Sequence, residues 1–242
     1  PITTIGIIGT GAMGRGIAQI AAEAGLRVKM HDTREAAVSE AQAFISKLWS
    51  RAVEKQRFSQ ARADEMISLL EEARTLETMA ECDLVIEAIV ERVDAKQALF
   101  KQLEQILAEH AILATNTSSL SVTEIASACA RPERVIGLHF FNPVPLMKIV
   151  EVIPGVKTDP EVTEAAEALG QRFGHFTAKT TDTPGFLVNH AGRAFGTEAL
   201  RILSEGVTDH VTIDRLLKDQ GDFRMGPFTL LDLTGLDVSH SV

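Results

Sequence analysis

In the stretch Gly137–Glu151, GLHFFNPVPLMKIVE, His139 and Glu151 stand twelve residues apart. The residues around them read as two short strands, Val135–Phe140 and Met147–Ile153, separated by Asn142-Pro143-Val144-Pro145. Proline fixes φ and removes a backbone donor, so this tetrapeptide can reverse the chain. Neighbouring strands joined in that way would let Glu151 accept a hydrogen bond from one ring nitrogen of His139. A carboxylate so placed selects a tautomer and stabilises the imidazolium, leaving the other nitrogen to take a proton. The same spacing suits a histidine satisfied by backbone at a strand end. Spacing alone does not separate the two.

A second group of residues points to a cofactor. The apolar run Ile5–Ile8 leads into Gly9-Thr10-Gly11-Ala12-Met13-Gly14 and then into the helical Ile17–Glu23. In a GxGxxG between strand and helix, the first glycine permits the turn and the second lets backbone approach a pyrophosphate. The third lets helix and strand pack closely, and the helix N-terminus supplies oriented N–H groups. Asp32 ends the next strand, 18 residues after Gly14. A carboxylate there accepts from ribose hydroxyls and repels a 2′-phosphate, which favours NAD over NADP; Arg34 nearby could instead accommodate that phosphate. Glu87 and Glu91 follow another strand, and Asn116 and Ser118 the one after. Each acid serves equally as a helix-starting residue or a cofactor ligand, and Asn116 and Ser118 equally as caps or ligand contacts.

Short β-branched runs must position these residues. Besides the two strands around the histidine they are Thr4–Ile8, Arg27–His31, Leu84–Ala88, Ala111–Thr115 and Thr177–Thr180. Helical patterns alternate with them, Asp94–Ala108 and Val122–Ala128 among these, which predicts an α/β fold with a Rossmann-type, doubly wound, mostly parallel sheet. Glu35–Glu72 is longer than one crossover needs. It reads as an inserted antiparallel helix pair broken at Arg57-Phe58-Ser59, with Ser59 as N-cap. After Thr180 the pattern becomes helical throughout, over Phe186–Glu205, Thr212–Lys218 and Pro227–Asp232. A boundary near Thr183 is therefore expected, with a nucleotide-binding domain over 1–183 and a smaller all-α domain over 184–242; the alternative is one domain whose last helices return to the sheet. The formal charge of −9 argues against nucleic acid or an anionic membrane surface as partner, and no apolar run is long enough for a membrane span. Cys82 and Cys129 have no CxxC partner, so neither a disulfide framework nor a metal is expected, and a cytoplasmic location fits.

Five segments carry a resemblance: IGIIGTGAMGRGIAQ, DLVIEAIVE, ATNTSSL, GLHFFNPVPLMKIVEVI and DTPGFLVN, in this order across residues 5 to 189. Together they resemble the L-3-hydroxyacyl-CoA dehydrogenase family. The resemblance implies NAD-dependent, reversible oxidation of a (3S)-3-hydroxyacyl-CoA to the 3-ketoacyl-CoA. It implies that His139 is the general base as hydride passes to the nicotinamide, and that Glu151 orients its ring. Ser118 and Asn189 would hold substrate near the reacting carbon. Asp32, Glu91, Lys96 and Asn116 would contact NAD together with Gly9, Gly11, Ala12, Met13 and Gly14, and Lys55 on the helix pair would meet the CoA phosphates. A homodimer through the helical domain is expected, as is a helical domain incomplete at its C-terminus. Two alternatives keep the scaffold: a hydroxy-acid dehydrogenase acting without CoA, such as an L-gulonate dehydrogenase, and a non-catalytic NAD-binding protein.

Overall fold

Every residue of Thr4–Ile8 (β1), Leu84–Glu87 (β4), Ile112–Thr115 (β5) and Val135–Phe140 (β6) is buried in the computed structural model, which describes residues 2–236. Strands hidden on both faces belong to a sheet covered on both sides, which explains why they read as continuous rather than alternating apolar runs. Arg27–His31 (β2), Leu70–Glu72 (β3), Ile149–Pro154 (β7) and Phe176–Lys179 (β8) complete one sheet of order β3-β2-β1-β4-β5-β6-β7-β8. All neighbours are parallel except β6 and β7, so the last two strands run against the first six. The direction of travel across the sheet reverses between β1 and β4, and ligands of open α/β sheets bind outside the carboxyl ends at such a point.

The covering helices are α1 (Ala12–Glu23), α2 (Ala37–Glu54), α3 (Gln60–Ser68), α4 (Val93–Ile106), α5 (Val122–Ala126) and α6 (Pro160–Arg172). α1 is buried along Ile17 to Ala22, and its Ile17 and Ile20 join Ile5, Ile7, Val28 and Met30 in the core. α2 and α3 form the inserted pair; the Ser59 hydroxyl accepts from the Arg62 N–H at 3.2 Å and caps α3. Trp49 of α2 is buried and donates to Glu23 Oε1 of α1 at 2.8 Å, tying the pair to the sheet.

Two features differ from the reading of the sequence. Leu70–Glu72 was expected to end the helix pair, but it is an edge strand parallel to β2. Its side chains favour helix, but the unpaired edge of β2 offers backbone partners that outweigh so short a preference. The second is α6, for which the sequence reading has no counterpart. Its signal was present: Pro160 opens the helix and Thr163, Ala166, Leu169 and Gly170 form its buried face at helical spacing.

The chain divides into two compact units, Pro1–Asp182 and Thr183–Val242. In the second, α7 (Val188–Ser204), α8 (His210–Asp219) and α9 (Pro227–Thr234) pack on one another. Asp209 caps α8 by accepting from the Thr212 N–H at 2.8 Å. The Asp214 carboxylate of α8 accepts from the Phe228 and Thr229 N–H groups, fastening the start of α9. The last residues of the expected helical continuation, Asp237 to Val242, lie outside the described residues. Among the described residues, no helix is long and apolar enough to cross a membrane.

Candidate active site

At the carboxyl end of β1, Gly9 adopts φ +88°, and a Cβ there would lie 2.5 Å from the Ala88 carbonyl oxygen. A Cβ on Gly14 would lie 1.8 Å from the Gly9 carbonyl oxygen, so only glycine lets α1 start this close to β1. Gly11, the N-cap of α1, is different: a Cβ there would meet nothing within 4 Å. The first turn of α1 holds no acidic residue. Open space, a close backbone and the positive end of a helix are the conditions a dinucleotide's pyrophosphate requires.

Asp32, just past β2, faces the same loop. Its Oδ2 accepts from the Thr10 N–H at 2.8 Å and the Thr10 hydroxyl at 3.1 Å, and its Oδ1 accepts from the Arg34 N–H at 3.0 Å. Partial burial pushes this carboxyl up, but those three bonds together hold it below its ordinary value, so it stands ionised. Arg34 points its guanidinium at Glu40 in a bidentate pair of 2.9 and 2.7 Å. That engagement turns the guanidinium to Glu40 and leaves the Asp32 carboxylate at the loop. Asp32→Ala is expected to lower the NAD-over-NADP ratio of kcat/KM by about 10–100-fold, the worth of a hydrogen bond to a charged group. Steady-state rates with each cofactor check this, and an unchanged ratio removes Asp32 from the ribose role.

The next strand ends hold a buried ionic group. Lys96, in the first turns of α4, is 1% exposed; its ammonium donates to Glu87 Oε1 at 2.5 Å and lies 3.1 Å from Glu91 Oε2. Glu91 Oε1 accepts from the Thr117 hydroxyl at 2.5 Å and from the Ser118 N–H at 2.7 Å, and the Ser118 Oγ lies 3.4 Å away. Burial raises the Glu91 carboxyl, yet Lys96 and these donors bring it below the usual range. Asn116 Oδ1 accepts from the Phe140 N–H at 2.9 Å, which ties the end of β5 to the residue after His139. Neither Asn116 nor Ser118 caps α5; Ser121 does, accepting from the Glu124 N–H. Asp182 then takes the Val122 and Thr123 N–H groups and the Ser121 hydroxyl.

His139 and Glu151 meet. They are direct partners in the antiparallel β6–β7 pairing, and Nδ1 of His139 donates to Glu151 Oε2 at 2.6 Å. A carboxylate can only accept, so the proton of the neutral ring sits on Nδ1, and Nε2 is the ring nitrogen with acceptor character. Both residues are buried, Glu151 completely, and the Phe141 ring lies 4.4 Å from the imidazole centroid. Because β6 runs with β1 to β5, the histidine falls on the same carboxyl edge as the glycine loop. Only the reversal at β7 brings Glu151 back to it. The turn between the strands is closed by the Leu146 and Met147 N–H groups donating to the Pro143 carbonyl.

One edge of the first unit therefore carries Gly9, Gly11, Gly14, Asp32, Glu91, Asn116, Ser118, His139 and Glu151. Lys55 is elsewhere in that unit, exposed at the C-cap of α2, beside the exposed Arg51 and Arg57. Asn189 lies in the first turn of α7, in the second unit. Thr10, Thr115 and Thr117, which the sequence does not single out, complete the edge's hydrogen bonding with Glu87, one of the two acids it does. Their partners lie 9 to 28 residues away, a distance no local pattern reports. The thiols contribute nothing nucleophilic: burial pushes Cys82 up to about 12 and Cys129 to about 11. Among the described residues no His, Cys, Asp and Glu cluster could hold a metal ion.

Comparison with known proteins matches residues 4–183 to the profile of the 3-hydroxyacyl-CoA dehydrogenase NAD binding domain and residues 185–242 to that of the 3-hydroxyacyl-CoA dehydrogenase C-terminal domain. The chain is 41% identical, over its whole length and 84% of the relative's, to a probable 3-hydroxybutyryl-CoA dehydrogenase of Bacillus subtilis. It is 40% identical to a 3-hydroxyadipyl-CoA dehydrogenase of Escherichia coli, of which it spans 51%. The crystal structure of 3-hydroxybutyryl-CoA dehydrogenase from Escherichia coli K12 superposes with a TM-score of 0.98 at 39% identity, covering all of this chain and 51% of that one.

Proposed function

The chain belongs to the 3-hydroxyacyl-CoA dehydrogenase family, with NAD as its cofactor, and from that premise we propose that it interconverts (3S)-3-hydroxyacyl-CoA and 3-ketoacyl-CoA with His139 as general acid–base. The observation that carries the reading is the 2.6 Å bond between His139 Nδ1 and Glu151 Oε2 at the carboxyl edge. When bound, NAD supplies the acceptor for the substrate's hydride. The residues suited to hold it are the glycine loop (Gly9 to Gly14, with the Ala12 and Met13 N–H groups), Asp32, Glu91 and Asn116, with Lys96 behind Glu91.

In oxidation, Nε2 of His139 takes the 3-hydroxyl proton; in reduction, the imidazolium returns it to the ketone oxygen. An alcohol is a poor hydride donor until that proton leaves, and general base assistance is worth roughly 10²–10⁴-fold. Glu151 keeps Nε2 as the acceptor nitrogen and offsets the charge the ring gains. Ser118, whose N–H is pinned by Glu91, has a hydroxyl suited to hydrogen-bond the reacting oxygen. Asn189, in the second unit, is assigned to substrate binding through the match of DTPGFLVN. Lys55, with Arg51 and Arg57, offers an exposed cationic turn for the CoA phosphates. The first unit, through residue 183, is the NAD-binding domain; the helical domain over 184–242 serves substrate binding and homodimerisation. The enzyme works in the cytoplasm.

NADH consumption tests the substrate class. Acetoacetyl-CoA is expected to turn over, whereas free 3-keto acids should show kcat/KM lower by at least about 10²-fold, because remote binding energy is lost with the CoA moiety. Equal rates with and without CoA would overturn the assignment.

A further inference from the structure

Glu87 is, like Glu151, a fully enclosed carboxylate at the carboxyl edge. It is 0% exposed, at the end of β4, and none of the assigned steps uses it. Its Oε1 takes the Lys96 ammonium at 2.5 Å and the Ile89 N–H at 2.7 Å, and its Oε2 takes the Thr115 hydroxyl at 2.8 Å. Neutralising Lys96 does not require it, since Glu91 already lies 3.1 Å from the same ammonium. A second buried carboxylate adds a net negative charge and a desolvation cost that one ion pair would avoid. What it adds in return is geometry. With three donors fixing it between β4, β5 and α4, Glu87 sets where the ammonium sits. The ammonium then occupies Glu91 Oε2, leaving Oε1 to gather the Thr117 hydroxyl and the Ser118 and Ser119 N–H groups.

We infer that Glu87 is a positioning residue of the cofactor site, acting through Lys96 to fix the Glu91 carboxylate and the Thr117–Ser119 loop it holds. The inference rests on the reading of Glu91 as a cofactor ligand. Glu87→Gln keeps the size of the side chain and replaces the charge that holds the ammonium. Lys96 is then drawn wholly to Glu91, and the carboxylate turns from its loop.

The test is a double-mutant cycle on NADH affinity in the full chain, read by fluorescence titration. Glu87→Gln is expected to raise the NADH Kd about tenfold, within the range over which contacting residues couple. In a Glu91→Gln background the same change should add nothing, because the carboxylate through which it acts is gone. A residue that merely stabilises the fold would lower the melting temperature without this non-additivity. If Glu91→Gln weakens NADH binding but Glu87→Gln does not, or the two effects add, the relay is overturned and the reading of Glu91 stands. If Glu91→Gln leaves the Kd unchanged, both fall. Should Glu87→Gln not fold, Thr115→Val removes one bond from Glu87 Oε2. It should raise the Kd about threefold, again only where Glu91 is present; no rise overturns the relay.

Discussion

Replacing His139 with glutamine is expected to lower turnover of acetoacetyl-CoA by NADH roughly 10²–10⁴-fold, the usual worth of a positioned acid–base group. Glutamine suits this test because Glu151 is fully buried and accepts from His139. Removing one member of a buried pair outright costs about 3–5 kcal/mol through the uncompensated charge that remains. The amide can still donate toward Glu151 but cannot carry a proton to or from the substrate oxygen. NADH affinity should therefore stay near that of the unaltered chain, since the glycine loop and Asp32 are untouched. Stopped-flow reduction and fluorescence titration of NADH separate the two quantities. A variant turning over at a comparable rate would remove His139 from the acid–base role.

Glu151→Gln is expected to produce a fall of similar order, about 10²–10⁴-fold in kcat, through a different cause. The carboxylate accepts only, so it forces the ring proton onto Nδ1, the tautomer in which the proposed base can take a proton at Nε2. A carboxamide can donate as well as accept. It admits the opposite tautomer, in which Nε2 already bears a hydrogen, and it no longer offsets the charge the imidazole gains. KM values for acyl-CoA and for NADH should move little, because neither ligand is held by Glu151. A variant that lost affinity while keeping kcat would show Glu151 to be a packing residue instead. Combined with His139→Gln, the second substitution should add almost nothing, as befits residues acting as a unit.

How much of this was legible depended on how far apart the interacting groups stand. The glycine loop could be read from six consecutive residues, because turn, close approach and helix start are local requirements. The cap at Ser59 was legible for the same reason. Strand positions followed from runs of apolar residues, and the change to helices after Thr180 from the change in period. Leu70–Glu72 has a helical pattern yet forms a strand, because three residues carry too little preference to outweigh an open sheet edge.

At the edge itself, the sequence alone determined which residue types were available: a histidine and a glutamate flanking a proline turn, acids at and after the end of β4, and an asparagine and serines after β5. It could not say which of them would touch. The tertiary structure decided that His139 and Glu151 are register partners, that Asn116 binds the backbone of Phe140, and that Lys96 is shut between Glu87 and Glu91. Each of these contacts is a pairing between separate strands or helices. Such pairings arise when the sheet closes and are set by strand order and register, which no local propensity encodes.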